Sequence, residues 1–170
     1  MSMAAGVLVV VGVVLLVVAL VRARSHATPL ARPIAAALDA ARPAVAPFDG
    51  WDESRVGVGP RCLRLVLART PRERRAGLMG RRDLGPYDGM LFVSPRDTGA
   101  SFTMYRTDLA LDLGLYDRSG TPRGRAELVP CPAASITKCP QTVPARPYRL
   151  AIETPRGSLP QGALGACGPG

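Results

Sequence analysis

The side chains that could perform chemistry are few, and the imidazole group is nearly missing. The 170-residue chain has one histidine, His26, which precedes the region whose patterns predict a folded domain. Without an imidazole, that domain cannot build a Ser-His or Cys-His nucleophile pair. A zinc site made with histidine is excluded for the same reason. We predict no metal and no cofactor.

The four cysteines indicate disulfides rather than redox or zinc chemistry. Cys62, Cys131, Cys139 and Cys167 form no C-x-x-C motif, so neither thioredoxin-type redox chemistry nor a common zinc ribbon is supported. Cys131 and Cys139 lie in a proline-rich loop with few apolar residues, where a disulfide would act as a staple. A second bridge, from Cys62 to Cys167, would tie down the C-terminal tail. The alternative is four buried free thiols. The even count and the placement favour disulfides and an oxidising compartment.

A dense group of arginines is the third feature. The chain carries a net charge of +9, and residues 61–170 hold 17 basic and nine acidic residues, a net charge of +8. An anionic lipid or an envelope polyanion could bind the stretch Arg69–Arg82. The alternative is a solvated helix face in an arginine-rich protein. Nucleic acid is disfavoured, because no recognition motif occurs and aromatic residues are 5% of the chain. Protein partners are unknown. The basic residues of this stretch are Arg69, Arg72, Arg74, Arg75, Arg81 and Arg82.

The elements that must position these residues follow from periodicity. Leu63–Leu67, Leu109–Leu115 and Tyr148–Ile152 alternate with period two, which is typical of half-buried strands. Met90–Val93 is apolar throughout and predicts a buried strand. Asp117–Gly120 is a turn sequence that predicts a hairpin between the strand ending at residue 116 and residues 121–129.

One short helix is marked by its first turn. Thr70 is a capping residue, Pro71 suits the first helical position, and Glu73 completes a capping box. We expect the helix to reach about Met79. With Phe102 and Met104 on a further strand, the pattern predicts a mostly β domain with one short helix. Its compact antiparallel or mixed sheet would be curled like a barrel or a sandwich.

Residues before the domain predict an anchor and a tether. Residues 1–21 are uncharged and strongly apolar, which is long enough for one transmembrane helix or an uncleaved signal. Residues 22–60 are rich in Ala and Pro and predict a spacer, in which Ile34–Ala41 could form one or two helical turns. The domain then covers residues 61–165, and residues 166–170 form a tail. Phe48 and Trp51 are expected to pack on the domain as a lid.

The motifs of this domain resemble one known family. The stretches Glu73–Arg74, Gly77–Met79, Gly89–Phe92, Phe102–Met104 and Leu111–Asp112 are similar to those of the uncharacterised prokaryotic domain of unknown function 192, over about residues 63–162. The resemblance implies an N-terminal signal or anchor and a compact β-rich domain, and no established activity. This chain departs from the family pattern, which usually has Trp at Thr103, Lys-Asn at Tyr105-Arg106 and Pro at Ala110.

The matched motifs supply the candidate binding residues, for which both a structural and a functional interpretation stay open. Arg74 and Asp112 could form a buried ion pair between helix and sheet, which we prefer to a catalytic role, since acid–base work needs a second positioned group. No catalytic residue is assigned. The candidate binding residues are Arg74, Arg81, Phe102, Met104, Thr107 and Asp112.

No substrate follows from the sequence. The preferred hypothesis is a non-enzymatic, membrane-tethered extracytoplasmic binding or accessory module. One alternative is a hydrolase or transferase of envelope polymers that uses Asp112 with an arginine. Another is a cytoplasm-facing membrane scaffold, because Arg22 and Arg24 follow the apolar segment and no basic residue precedes it. We place the domain outside the cytoplasm on the strength of the cysteines.

Overall fold

A computed structural model of the chain describes residues 28–132 and 135–168. The predicted transmembrane segment, residues 1–21, lies outside the described residues. Within the described ranges no helix has the length and apolarity needed to cross a bilayer.

The described chain forms a mostly β domain with a few short helices. The helices are α1 (Arg32–Asp39), α2 (Pro71–Ala76) and a single 3-10 turn at Ile136–Lys138. The strands are β1 (Arg42–Pro43), β2 (Asp52–Val58), β3 (Arg61–Ala68), β4 (Gly89–Thr98), β5 (Phe102–Thr103), β6 (Leu111–Tyr116), β7 (Pro122–Leu128), β8 (Gln141–Thr142), β9 (Tyr148–Pro155) and β10 (Leu164–Gly165).

Eight strands form one mixed sheet. Its order is β1-β2-β3-β4-β9-β6-β7, with β10 paired to β2. Strands β3 and β4 are parallel, and the other pairs in this sheet are antiparallel. Strands β5 and β8 form a separate antiparallel pair. The mostly β, mixed-sheet prediction is confirmed, whereas the described strands form an open path from β1 to β7 with no pairing that closes it.

The sheet is buried on both faces, because alternate residues of the central strands enter two different apolar clusters. One cluster includes Leu65, Leu91 and Ile152, and Ile34 and Leu38 of α1 cover it. The other cluster holds the neighbouring residues of the same strands. Phe48 and Leu78 belong to this second cluster, and Trp51 packs against its edge. Side chains of the central strands therefore face a covering layer in both directions.

Several local predictions are confirmed. Strands β6 and β7 form the expected hairpin. The Thr70 side chain accepts a hydrogen bond from the Glu73 amide, and the Glu73 carboxylate accepts one from the Thr70 amide, which completes the capping box. The helix stops at Ala76 rather than near Met79, because Gly77 leaves helical geometry with a φ of +47°.

The stretch predicted as a tether contributes three elements to the domain. Helix α1 packs on one face, and β2 pairs with β3 over seven residues. Glu53 of β2 is 1% exposed and accepts hydrogen bonds from Arg42, Arg64 and Tyr87. Each of these partners comes from a different segment, so this carboxylate joins β1, β2, β3 and the loop before β4. Because Glu53 binds partners that are distant in sequence, the Ala/Pro-rich composition of this stretch did not predict that it belongs to the domain.

The cysteines are paired in the way the sequence suggested. Cys131 is joined to Cys139, with 5.8 Å between the Cα atoms, and Cys62 to Cys167, with 5.0 Å. The first bridge closes a loop of eight residues. The second spans 105 residues and links the start of β3 to the C-terminal tail.

Candidate functional site

A cleft of about 610 Å³ opens on the face of the sheet opposite α1. Its walls come from α2 and the turn after it, the second half of β4, and the segment from Ala100 to Met104. Its floor includes residues of β9. We refer to it below as the cleft.

The α2 wall is fixed by the capping box described above. The turn after the helix brings Leu78, a buried residue, and Met79 into the lining. On the helix itself Arg74 is half-buried, and its guanidinium donates to the main-chain oxygen of Val93 at 3.0 Å and to that of Arg69. Arg74 therefore ties α2 to β4 along one side of the cleft.

The β4 wall is made by an irregularity in the sheet. The register between β4 and β9 shifts between Val93 and Thr98, so the residues between them lack regular partners on β9. Bulges of this kind bend a strand and redirect side chains, and they are common beside functional sites. Here the shift turns the stretch Ser94–Thr98 into one rim of the cleft.

A third wall depends on the smaller sheet and its disulfide. Strand β5 pairs with β8, which begins two residues after Cys139. Tyr105, two residues after β5, forms a parallel bridge with Cys131. Ile136, inside the disulfide-closed loop, also lines the cleft. The Cys131–Cys139 bridge therefore holds this wall from both ends.

Aromatic rings form much of the floor. The ring of Phe102 meets that of Phe92 edge to face at 5.9 Å between centroids, and that of Tyr148 at 5.6 Å. The Tyr148 hydroxyl donates to the Ala100 carbonyl at 2.9 Å. Burial raises the pKa of Tyr148 to about 12, so the phenol stays neutral across the physiological range.

Glu153 is the unusual residue of the floor. It is 6% exposed, and its neighbours across the sheet are Met90 and Leu113. Among the described residues its carboxyl group makes no hydrogen bond and no ion pair. Burial raises the pKa of Glu153 to about 8. At pH 7 the group is therefore mostly a neutral acid that faces the cleft with a hydrogen to donate.

The mouth carries most of the charge. Arg75 on α2 and Arg96 on β4 are exposed lining residues, and Asp97 lies beside Arg96. With Arg74, the cleft holds three arginines against one ionised carboxylate, so its local field favours anions.

Four of the six predicted binding residues meet in this cleft. Arg74, Phe102, Met104 and Thr107 all line it, and Met104 and Thr107 are buried.

The other two predicted residues lie elsewhere. The guanidinium of Arg81 lies 4.5 Å from the centre of the Phe48 ring and donates to the main-chain oxygen of Pro47. Asp112 accepts a hydrogen bond from the Gly157 amide at 2.8 Å, in a shallow depression with Arg125, Glu127 and Arg156. The expected ion pair between Arg74 and Asp112 does not form, because each side chain is held by a different backbone group.

The basic stretch from Arg69 to Arg82 is divided among several roles. Arg69 pairs with Asp52, and Arg82 lies 3.7 Å from Asp108. Arg74 and Arg81 donate to main-chain oxygens as described. Within the described ranges, Arg72 and Arg75 form no ion pair, and of these two only Arg75 lines the cleft. No group of three or more His, Cys, Asp or Glu residues that could hold a metal occurs in the described part of the chain.

Sequence reasoning missed Glu153, Tyr148 and Ser94 as site residues. The period-two pattern of Tyr148–Ile152, extended by one residue, places Glu153 on the same side of the strand as Arg149 and Ala151. A usable signal existed in the flanking residues, since Leu150, Ala151 and Ile152 form an unbroken apolar run beside it. An acidic residue next to such a run is a candidate for burial in a central strand.

Comparison with known proteins assigns most of the domain to a family. Residues 55–165 match the model of DUF192, described as "Uncharacterized ACR, COG1430". The chain belongs to the DUF192 family. No curated protein matches it.

Two solved structures are similar to this DUF192 chain. One is a protein of unknown function from Novosphingobium aromaticivorans DSM 12444, with 27% identity, a TM-score of 0.60, and coverage of 75% of this chain and 95% of that one. The other, from Sinorhizobium meliloti 1021, is described as a candidate transcription regulator. It has 26% identity, a TM-score of 0.54, and coverage of 65% and 88%.

Three of the four departures from the DUF192 pattern lie in the cleft wall or directly after it in sequence, whereas Ala110 is outside the lining. Thr103, where the family usually has Trp, is half-buried in the cleft wall. Tyr105 and Arg106 follow it, and Arg106 has a φ of +55°. The smaller side chain at residue 103 leaves room in the cleft that an indole would fill.

Proposed function

We propose that this DUF192 domain is a binding module whose ligand site is the cleft, held at a membrane on its extracytoplasmic side. The observation that carries the binding role is the Glu153 carboxyl, which is 6% exposed, lines the cleft and makes no hydrogen bond to a described residue. A ligand that displaces water from the cleft must offer this group a hydrogen bond, because a polar group buried without a partner costs roughly 1–3 kcal/mol.

The shape of the cleft supports the same proposal. Its volume of about 610 Å³ lies within the range of small-molecule sites, which are mostly apolar with a few placed polar groups. The rings of Phe92, Phe102 and Tyr148 provide the apolar surface, and Glu153 and the mouth arginines provide the polar groups.

The alternative of an envelope-polymer hydrolase or transferase gains no support from Asp112. Its carboxylate is hydrogen-bonded to a turn amide in a separate depression, away from Arg74 and the cleft. Within the cleft, Glu153 has no second carboxylate or base positioned beside it in the described residues. Acid–base catalysis depends on such a pair.

The location is proposed from the sequence and the cysteines together. Residues 1–21 form an uncharged apolar segment, and both cysteine pairs are disulfides, which persist in oxidising compartments. A sandwich-like arrangement is part of the same proposal. It is supported by the separate β5–β8 pair, whose Phe102 packs against the apolar cluster on one face of the main sheet.

A neutral fluorescent probe tests the binding role without assuming the charge of the ligand. The full chain is reconstituted in phosphatidylcholine nanodiscs and titrated with N-phenyl-1-naphthylamine, with empty nanodiscs as the blank. We expect fluorescence above the blank for the wild-type protein. The Thr103→Trp variant should return it to the blank, because the indole fills the cleft.

A matched variant separates cleft filling from the added tryptophan. Thr121→Trp places the same side chain at an exposed turn residue outside the cleft, and it should bind the probe as the wild type does. Equal probe binding by all three proteins, each with an unchanged melting curve, would remove the cleft as the ligand site.

A further inference from the structure

We infer that the cleft takes an anionic amphiphile, a molecule with an apolar chain or ring system and a phosphate, sulfate or carboxylate group. The body would lie on the aromatic floor, an oxygen acceptor would meet Glu153, and the anion would meet the arginines at the mouth. This inference rests on the proposed function, because it names the ligand class of the same cleft.

The arginines at the mouth of the cleft determine the sign of the charge that the ligand carries. Arg75 on α2 and Arg96 on β4 are exposed residues of two walls of the cleft, and the guanidinium of Arg74 on α2 donates to the main chain of β4. Asp97 is the only carboxylate at the mouth among the described lining residues. Guanidinium groups bind oxyanions with paired hydrogen bonds, so this arrangement suits a phosphate, sulfate or carboxylate.

The floor sets the character of the body. Phe92, Phe102 and Tyr148 are joined ring to ring, and Leu78 and Met104 complete an apolar surface at the base of the cleft. Burial of an alkyl chain or an aromatic ring there contributes about 25 cal/mol per Å² of apolar area. The ligand is therefore amphipathic rather than a free inorganic anion.

Glu153 sets what the buried part of the ligand must offer. Since burial raises the pKa of Glu153 to about 8, its carboxyl group at pH 7 donates a hydrogen bond and carries little charge. A carbonyl, ether or ester oxygen next to the apolar body would accept it. A cationic ligand group would have to pass the arginines and ionise Glu153. The charged or titratable groups that line the cleft beside Glu153 are Arg74 and Arg75 on α2, Arg96 and Asp97 on β4, and Tyr148 on β9.

Displacement of the neutral probe by three eight-carbon amphiphiles tests the sign of the ligand's charge. Octyl sulfate, octyltrimethylammonium and octyl glucoside carry fixed negative, positive and zero charge, and the Thr103→Trp protein in nanodiscs corrects for effects on the bilayer. We expect octyl sulfate to displace the probe at a concentration about tenfold lower than octyltrimethylammonium, as one charge-assisted hydrogen bond would allow. Equal or stronger displacement by octyltrimethylammonium would overturn the inference and leave the binding cleft standing.

Arginine variants locate the anion. The double variant Arg75→Gln/Arg96→Gln should weaken octyl sulfate about tenfold. The control Arg72→Gln/Arg146→Gln removes the same charge from exposed residues outside the cleft and should change affinity less than about twofold. Equal losses in the two variants would mean that net charge, rather than the mouth, attracts the anion, which contradicts the assignment.

The pH profile isolates the donor role of Glu153. Octyl sulfate keeps its charge from pH 6 to pH 9, whereas Glu153 loses its proton through about pH 8. Wild-type affinity should fall about tenfold between pH 7 and pH 9, since about a tenth of the acid remains protonated at pH 9. Glu153→Gln keeps a hydrogen donor that does not titrate, so its affinity should be flat. A wild-type profile that is equally flat would remove Glu153 from the site.

Lipid composition distinguishes the source of the amphiphile. If a membrane lipid is the ligand, nanodiscs that contain phosphatidylglycerol should displace the probe with no soluble amphiphile added, and less so in the Arg75→Gln/Arg96→Gln variant. If the ligand is a free amphiphile, only octyl sulfate displaces it. A fall in probe fluorescence with phosphatidylglycerol that is the same in the Thr103→Trp protein, which holds no probe in its cleft, would be an effect on the bilayer and would count against a membrane lipid as the ligand.

Discussion

Glu153 is a buried acidic residue with apolar cross-strand neighbours. Its partners across the sheet are Met90 and Leu113, and Ala151 precedes it on the same face. The Glu153 carboxyl group makes no hydrogen bond and no ion pair with a described residue. Its burial therefore links the proposed ligand site to the stability of the domain.

The pH dependence of stability should carry the signature of Glu153. Its pKa is about 8 when folded and 4.5 when exposed, so the folded state holds a proton that the unfolded state has lost between those values. The stability that Glu153 contributes is complete below pH 4.5 and is lost at about 1.4 kcal/mol per pH unit as the pH rises toward 8. Chemical denaturation of the full chain in mild detergent at pH 5, 6, 7 and 8 measures this slope.

The Glu153→Gln variant is the control for that slope. It should be at least as stable as the wild type at pH 8, and its stability should change little between pH 5 and pH 8. A slope that survives in the variant would assign the titration to another group.

At this scale, motifs located the side chains better than periodicity did. Arg74, Phe102, Met104 and Thr107 were named from sequence motifs and all line the cleft. Periodicity does not identify Glu153 as a buried residue, because alternation within one strand does not say which strands lie on either side. Burial on both faces depends on sheet order, which is a property of the whole chain.

Among the elements, β2 depends on one buried carboxylate. Glu53 holds Arg42 and Arg64 at 2.7 Å and 2.6 Å, and the Tyr87 hydroxyl donates to it at 2.6 Å. The hydrogen bond from Arg64 is the largest cause that lowers the pKa of Glu53 to about 2. The stabilisation that the ionised Glu53 carboxylate contributes is present above pH 4.5 and is lost as the pH falls toward 2.

Replacement of Glu53 by Gln should destabilise the domain by about 3 kcal/mol at pH 7, because Arg64 loses its buried partner. Glu127→Gln is the matched control. Glu127 pairs with Arg156 at 3.0 Å but is 72% exposed, so its loss should cost less than about 0.5 kcal/mol. Denaturant midpoints for the two variants make the comparison, and equal losses would contradict the structural role of Glu53.

The walls of the cleft were less predictable than the strands behind them. Period-two patterns placed β3, β6 and β9, and the capping box placed α2. The shift between Val93 and Thr98, which makes one rim, contains Pro95, which cannot donate a ladder hydrogen bond and so marks an interruption of the strand. That the interruption forms a rim of the cleft depends on pairing with β9, which the sequence does not give. Strand β5 has two residues, and its wall depends on a distant disulfide.

The two disulfides should differ in what their removal changes. Cys62–Cys167 closes 105 residues and, by loop entropy alone, contributes about 4.8 kcal/mol, whereas Cys131–Cys139 closes eight and contributes about 2.5 kcal/mol. Cys131→Ser/Cys139→Ser should nevertheless lose more probe binding at a temperature where both variants are folded, since that bridge holds a cleft wall. Thermal unfolding and the probe titration measure the two effects. Greater loss of binding from Cys62→Ser/Cys167→Ser would contradict this division.

At the scale of the whole molecule, the two faces of the sheet have different coverings. Helix α1 and its apolar cluster close one face, and the cleft opens on the other. The elements between residues 32 and 58 are as much a part of this body as the later strands. Their Ala/Pro-rich composition predicted a spacer, because short elements held by distant partners leave little periodicity to read.

The same cysteines offer a test of the proposed extracytoplasmic location. Every cysteine of the chain is in a bridge, so an extracytoplasmic domain on intact cells should react with a membrane-impermeant maleimide only after reduction with an impermeant phosphine. A cytoplasmic domain would be protected in intact cells and would show free thiols after lysis in denaturant. Because Arg22 and Arg24 favour the cytoplasmic orientation and the disulfides favour the opposite one, this labelling sets one physical rule against the other. Labelling after reduction would direct the search for the ligand to the cell envelope. Protection would direct it to lipids of the inner leaflet and to cytoplasmic partners.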